Sequence, residues 1–403
     1  MQWDVFCRVI DNFGDIGVCW RLCTDLGARG YTARLWVDDA SALAWMAPQG
    51  ARGVEVRAWA EAESPETAAA ITPGDVVIEA FGCNPPDAFL ARMQRPQPPA
   101  WVNLEYLSAE DYVERSHGLA SPVFSGPAAG LRKRFFYPGF TPATGGLLRE
   151  PGLMARQADF LAHQRLPWLH RLGVPASEAD RLVSVFCYAG APLGDWLDAL
   201  QAEALQTACD APADTDPATS PPYPAGITRV LLTPGHATSL AQAWAAQGRH
   251  TAPQALALHP LPALPQTEFD LLLWACHLNI VRGEDSAVRA LWAGRPHVWQ
   301  IYPQDDGVHA DKLDAFMARW MHGWPAALRD EVQRCWRHFN QIPTELGTAL
   351  AATAMATPAP CPRLADWRNA NGAWAQASRD ARAAWLAQTD LVTQLTHFVA
   401  GSG

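Results

Sequence analysis

The chain has 403 residues, 49% of them hydrophobic and 18% charged, with a formal net charge of −10. That length is too great for one ordinary core and suits two domains, and an acidic balance argues against a general nucleic-acid binder, which is usually basic. No apolar run of about eighteen residues suggests a membrane span, and Met1-Gln2-Trp3-Asp4-Val5 lacks the features of a secretory signal, so a cytoplasmic location without membrane contact is expected.

The first predicted strand, Trp3 to Ile10, runs into a polar turn, Asp11-Asn12-Phe13-Gly14-Asp15-Ile16-Gly17. A helical pattern follows from Val18 to Leu26, closed by Gly27 and Gly30, and Ala33 to Val37 reads as the next strand. Strand, loop, helix and strand in that order are the unit of a parallel sheet. Asp75 to Phe81 and Ala100 to Leu104 read as its later strands. Gly14 and Gly17 would let the backbone turn tightly and approach a ligand. Their spacing is not Gly-x-Gly-x-x-Gly, so a nicotinamide enzyme is not supported. Two readings stand for the carboxylates here. Asp15 caps the helix and Asp11 shapes the turn, or one of them projects into a cleft as a general base.

Nine cysteines occur without a Cys-x-x-Cys pair, and Cys19 and Cys23, four apart on the first helix, read as buried reduced thiols. The basic cluster Arg132-Lys133-Arg134 reads as a solvated turn.

A second α/β series opens near residue 180. Arg181 to Tyr188 is a strand ending at Gly190, Leu193 to Cys209 a helix, and Ile227 to Leu232 a strand. Asp210 to Gly226, rich in Pro, Ala, Asp and Thr, reads as a surface loop. Leu278 to Val281 is a strand, Asp285 to Ala293 a helix, His297 to Tyr302 a strand, and the chain from Leu364 onward is mostly helical. Two such series predict two facing Rossmann-like halves with ligands at the strand C-termini in the cleft between them. The boundaries expected are 1–178 for the first half and 179–379 for the second, with a C-terminal helix, 380–403, packing back on the first half.

The most informative stretch is Asn279-Ile280-Val281-Arg282-Gly283-Glu284-Asp285-Ser286. A strand turns sharply at Gly283 into a helix whose unpaired N–H groups and positive dipole end suit phosphate. Arg282 offers a charged fork and Ser286 a hydroxyl. Glu284 and Asp285 would repel a diphosphate; they either bind sugar or ribose hydroxyls or order the site by pairing with Arg282. The bland alternative is an ordinary helix start with Asp and Ser as caps. Ala293-Gly294-Arg295-Pro296 and a following strand match the usual layout of donor-binding domains in GT-B transferases. Asp305 and Asp306 read as solvated turn residues rather than a metal site, and His309 and Lys312, at i, i+3 spacing, could reach a phosphate, although most residues so placed do not.

The motifs of the chain resemble those of the elongation factor P arginine rhamnosyltransferases, the EarP family. The likeness is carried by residues 11–17 and by Asn103-Leu104-Glu105-Tyr106-Leu107-Ser108-Ala109-Glu110, Phe135-Phe136-Tyr137-Pro138-Gly139-Phe140 and Ser184-Val185-Phe186-Cys187-Tyr188. Leu264-Pro265-Gln266, Leu272-Leu273-Trp274-Ala275-Cys276, Val281 to Ser286 and Trp299 to Gln304 extend it. The resemblance implies a GT-B fold, a dTDP-β-L-rhamnose donor, elongation factor P as protein acceptor, inversion at the anomeric carbon, and neither cofactor nor metal. It implies Asp15 as the base on the acceptor, Asp11 in support, and Glu284 as a second essential carboxylate. Donor-binding positions would be Asn12, Phe13, Gly14, Gly17, Phe186, Tyr188, Gln266, Phe269, Arg282, Gly283, Asp285 and Ser286. The chain departs from the family pattern at Ala263 and Ala287, where aromatics are usual, and at His277, where Asp is usual. Two rival classes remain: a GT-B sugar-nucleotide enzyme with another acceptor, such as an epimerase, and a non-catalytic binder of nucleotide sugar or elongation factor P.

Overall fold

The computed structural model describes residues 1–10, 13–209, 226–304, 307–343, 367 and 372–401. The chain divides into two compact units, 1–153 with 384–403, and 154–383.

In the first unit the strands β1 (Gln2–Cys7), β2 (Thr32–Val37), β3 (Val54–Ala58), β4 (Val76–Ala80), β5 (Ala100–Leu104), β6 (Ala120–Pro122) and β7 (Arg132–Phe136) form one sheet in the order β3-β2-β1-β4-β5-β7-β6. All neighbours are parallel except β6 with β7. The central strands read as near-continuous apolar runs because helices cover both faces. One face packs Trp3, Val5 and Cys7 against Ile16, Cys19, Leu22 and Cys23 of α1 (Gly14–Ala28) and against Leu391, Val392 and Leu395 of the C-terminal helix Leu391–Ala400. The other packs Phe6, Trp36 and Val77 against Trp59 and Phe89. The C-terminal helix is fastened by Arg29, which donates to Asp25 and Asp390 at 2.7 Å each and to Thr393 at 2.6 Å.

The second unit holds a parallel sheet of β8 (Arg181–Val185), β9 (Thr228–Leu232), β10 (Leu256–Pro260), β11 (Leu278–Arg282) and β12 (His297–Gln300), in the order β10-β9-β8-β11-β12. The expected boundary at 178 moves to 153. The helical stretch from Met154 to Arg171 belongs with the second sheet because Phe160 packs edge-on against Trp168 and beside Trp274. Gln157 and Arg165 donate to the carbonyls of Ala293 and Ala275 at 2.9 and 3.0 Å.

Several local expectations change. β1 stops at Cys7, and α1 starts at Gly14, so Gly14 and Gly17 lie in the first helical turn rather than in a tight loop. Arg132, Lys133 and Arg134 are not a turn: they form β7, and Lys133 donates to buried Glu79 at 2.9 and 3.2 Å. Cys19 and Cys23 are buried free thiols, with Cys23 pushed well above the ordinary range by burial. Among the described residues no helix is long and apolar enough to cross a membrane. Asp11, Asn12, Asp305, Asp306 and the loop 210–225 lie outside the described residues.

Candidate active site

In both sheets the strand order reverses once beside the first strand of the unit, between β1 and β4 and between β8 and β11. Such a switch point parts the connecting loops at the C-terminal edge and leaves room for ligand. The described candidate residues of each unit collect at that edge.

In the first unit Asp15 follows β1 and is 2% exposed. It is not a helix cap: Phe13 holds the N-cap position, without a side-chain cap bond, and Asp15 sits inside the first turn. Its Oδ2 accepts from the Ile10 N–H at 2.8 Å and its Oδ1 from the Tyr106 hydroxyl at 3.2 Å. Burial of an anion costs several kcal/mol unless donors compensate, and here the helix N-terminus adds favourable dipole. Phe13 is 37% exposed and meets Trp45 edge-on at 5.1 Å. Tyr106 lies two residues beyond β5, its ring stacked flat on Phe81 at 4.2 Å and 11°. Phe81, directly after β4, has φ +57°, a conformation that costs an aromatic residue roughly 1–3 kcal/mol. The Phe81 N–H donates to the Leu104 carbonyl at 2.7 Å, which holds it there. Next to it Asn103 donates to Glu105 at 2.8 Å, and burial raises the Glu105 carboxyl.

In the second unit β8 ends at Val185 and delivers Phe186, Cys187 and Tyr188 to the edge. The Tyr188 N–H donates to Gln300 Oε1 at 2.8 Å, and the Phe186 ring meets Phe269 edge-on at 5.7 Å. Burial pushes the Cys187 thiol up to about 12, so it stays a neutral filler. Arg282, 8% exposed, lies 4.5 Å from both the Phe186 and the Tyr188 ring centroids. Cation–π contact holds that guanidinium without consuming its N–H donors. Gly283 then turns the chain with φ +68°, which only glycine adopts cheaply. The helix Glu284–Ala293 starts at once with no side-chain cap bond at its N-cap. Ser286 is 8% exposed. Neither acid pairs with Arg282. Gln266 donates to Asp285 at 3.3 Å and Lys312 to Glu284 at 2.7 Å. Of the two roles left open for these acids, pairing with Arg282 is not the one seen; the aromatic rings hold that guanidinium. A buried ion pair, Arg289 with Asp270 at 2.6 Å, ties this helix to the helix Gln266–Ala275 and so brings Gln266 to Asp285.

The three departures fall differently. Ala263 is exposed, Ala287 is buried in the first turn of its helix, and His277 donates its backbone N–H to the Leu182 carbonyl at 2.8 Å while its Nδ1 accepts from the Leu182 N–H at 3.1 Å. Burial, with Arg165, Arg295 and Arg181 nearby, pushes the His277 imidazole down to about 3. Tyr106, Phe81 and the Asp270–Arg289 pair carry no role in the sequence reading. The motif from Asn103 to Glu110 is the one signal for Tyr106, and nothing in the sequence reading points to Phe81 or to the Asp270–Arg289 pair. No group of three or more His, Cys, Asp or Glu among the described residues is arranged to hold a metal ion.

A family model described as the elongation factor P rhamnosyltransferase EarP matches residues 3–400. The chain belongs to the EarP family. It is thereby a glycosyltransferase, and its two parallel α/β units are those of the GT-B fold. A protein-arginine rhamnosyltransferase of Pseudomonas putida is 41% identical over 420 residues, covering 99% of each chain. One of Pseudomonas aeruginosa is 42% identical over 351 residues, covering 84% of this chain and 87% of its own. A solved structure described as the structural basis for EarP-mediated arginine glycosylation of translation elongation factor EF-P aligns with a TM-score of 0.59 at 29% identity, over 100% of this chain and 99% of that one.

Proposed function

We propose that this protein-arginine rhamnosyltransferase moves L-rhamnose from dTDP-β-L-rhamnose to an arginine side chain of translation elongation factor P, with inversion to α-rhamnosyl-arginine. The observation that carries the donor reading is Arg282, held by two aromatic rings at the start of the helix Glu284–Ala293. Its N–H donors, the Ser286 hydroxyl and the helix N–H groups are suited to a diphosphate. Phe186, Tyr188, Gln266 and Phe269 take the nucleotide end, and Asp285 and Glu284 take hydroxyls.

Arginine has a pKa of about 12.5–13.8, so stripping its proton at neutral pH would cost roughly 7–9 kcal/mol. Asp15 does not supply all of that, since ion pairing alone favours the charged guanidinium. In this reading it orients one nitrogen and takes the proton as the C–N bond forms and the anomeric C–O bond to the diphosphate breaks. The gain comes from geometry and from charge that develops only in the transition state. The departing dTDP carries the new negative charge, which Arg282, Ser286 and the helix N–H groups stabilise without reorganising. Asp11 supports Asp15. A translation factor as acceptor implies the cytoplasm.

The test is incubation with dTDP-β-L-rhamnose and unmodified elongation factor P, read by intact mass and peptide mapping. A rhamnosyl mass gain on one arginine is expected. No gain, or equal gain from other sugar nucleotides or on small acceptors, overturns the reading.

A further inference from the structure

Three chain segments set the Asp15 carboxylate, two of them by donating a hydrogen bond to it. Its own loop supplies the Ile10 N–H to Oδ2, and the segment after β5 supplies the Tyr106 hydroxyl to Oδ1. The segment after β4 supports Tyr106 from beneath through the flat ring of Phe81. Tyr106 is 37% exposed, so its ring is not there to fill the core. Phe81 holds its ring in that place with φ +57°, fixed by the 2.7 Å bond from its N–H to Leu104. Gly82, the next residue, also has positive φ and donates to Asn103 Oδ1 at 3.3 Å, which fastens the β4 end to the β5 end again. Backbone outliers that persist at a sheet's ligand-binding edge are over-determined by their surroundings, and they point to a positioning role.

A carboxylate rotates about its terminal torsion unless both oxygens are held. Capture of a planar guanidinium depends on the carboxylate plane, because the two groups meet fork to fork. We propose that Tyr106 is a positioning residue of the transfer, its hydroxyl fixing the plane of the Asp15 carboxylate toward the acceptor guanidinium and Phe81 fixing Tyr106. This rests on Asp15 being the base.

Tyr106→Phe keeps the ring and its stack and deletes only the hydroxyl. At saturating donor and acceptor, kcat falls about 10- to 50-fold, as expected for a misaligned base, while both KM values stay within about twofold. In an Asp15→Asn background the same change costs less than about twofold, read by intact mass over a long incubation. A Tyr106→Phe enzyme with wild-type kcat overturns the proposal, and so does an equal loss in both backgrounds, which would mean that Tyr106 acts independently of Asp15. Full turnover in Asp15→Asn alone is a separate result: it removes Asp15 as the base, whatever Tyr106→Phe does.

Discussion

The two sheets share a topology at their switch points yet present opposite charge. In the first unit the helix after β1 carries Asp15 in its first turn, whose two oxygens take a backbone N–H and a tyrosine hydroxyl. In the second the helix after β11 also begins with acids, but Gln266 and Lys312 engage them. The residue just before the turn, Arg282, rests on aromatic faces that leave its N–H groups available. The same strand–turn–helix element therefore offers a carboxylate in one unit and a guanidinium in the other. What differs is which neighbour each strand end delivers: Tyr106 and Phe81 in the first case, Phe186 and Tyr188 in the second. Local sequence at a helix start does not set the sign of a site; the side chains from adjacent strands do.

That contrast can be broken at either end. The largest effect is expected from Asp15→Asn. Removing a general base costs on the order of 10²–10⁴ in rate, and turnover by mass spectrometry should fall by at least about 100-fold, while calorimetry shows donor affinity unchanged. If donor affinity collapsed with turnover, the division of labour between the two ends would be wrong. Next comes Arg282→Ala, expected to weaken donor binding by about 10- to 100-fold, the worth of charge-assisted hydrogen bonds near 1.5–3 kcal/mol. Calorimetric affinity within twofold of the wild type would count against the diphosphate assignment.

A smaller effect separates the units by pH. Burial pushes His277 down to about 3 and His297 down to about 4, and both lie in the second unit. Between those values and about 6.5 the unfolded chain binds more protons than the folded one, so stability present above pH 6.5 is lost as pH falls. The loss is roughly 3 kcal/mol per histidine at pH 4. His277→Asp keeps an acceptor for the Leu182 N–H among Arg165, Arg295 and Arg181. Urea unfolding midpoints followed from pH 7 to 4 should fall less steeply in this variant; an identical slope would show that His277 does not carry the effect. The smallest effect expected is that of excess EDTA. Arg282, Ser286 and helix N–H groups meet the leaving charge in the proposed mechanism, so rhamnosyl transfer should persist; complete loss restored by magnesium would require a different one.

Much of this was legible along the chain. Strand and helix positions in both units follow from apolar runs punctuated by glycine, and Arg282-Gly283-Glu284 announces a turn onto a helix because Gly283 alone accepts its φ. Boundaries were less legible. The hydrophobic run from Trp3 to Ile10 continues past Cys7, where pairing ends, and nothing in the residues 153–171 says which sheet Phe160 and Trp168 will cover. The triplet Arg132-Lys133-Arg134 looks solvated until Glu79, fifty-four residues earlier, is placed beneath Lys133.

The sequence by itself determined the two α/β series, the family and the residue types at each strand end, because these depend on local periodicity and short motifs. Only the tertiary structure decided that Tyr106, ninety-one residues after Asp15, would hold its carboxylate, and that rings rather than acids would hold Arg282. Those pairings are set by strand order: β5 reaches β1 only through β4, and β8 adjoins β11 across almost a hundred residues. No local preference encodes a partner that distant.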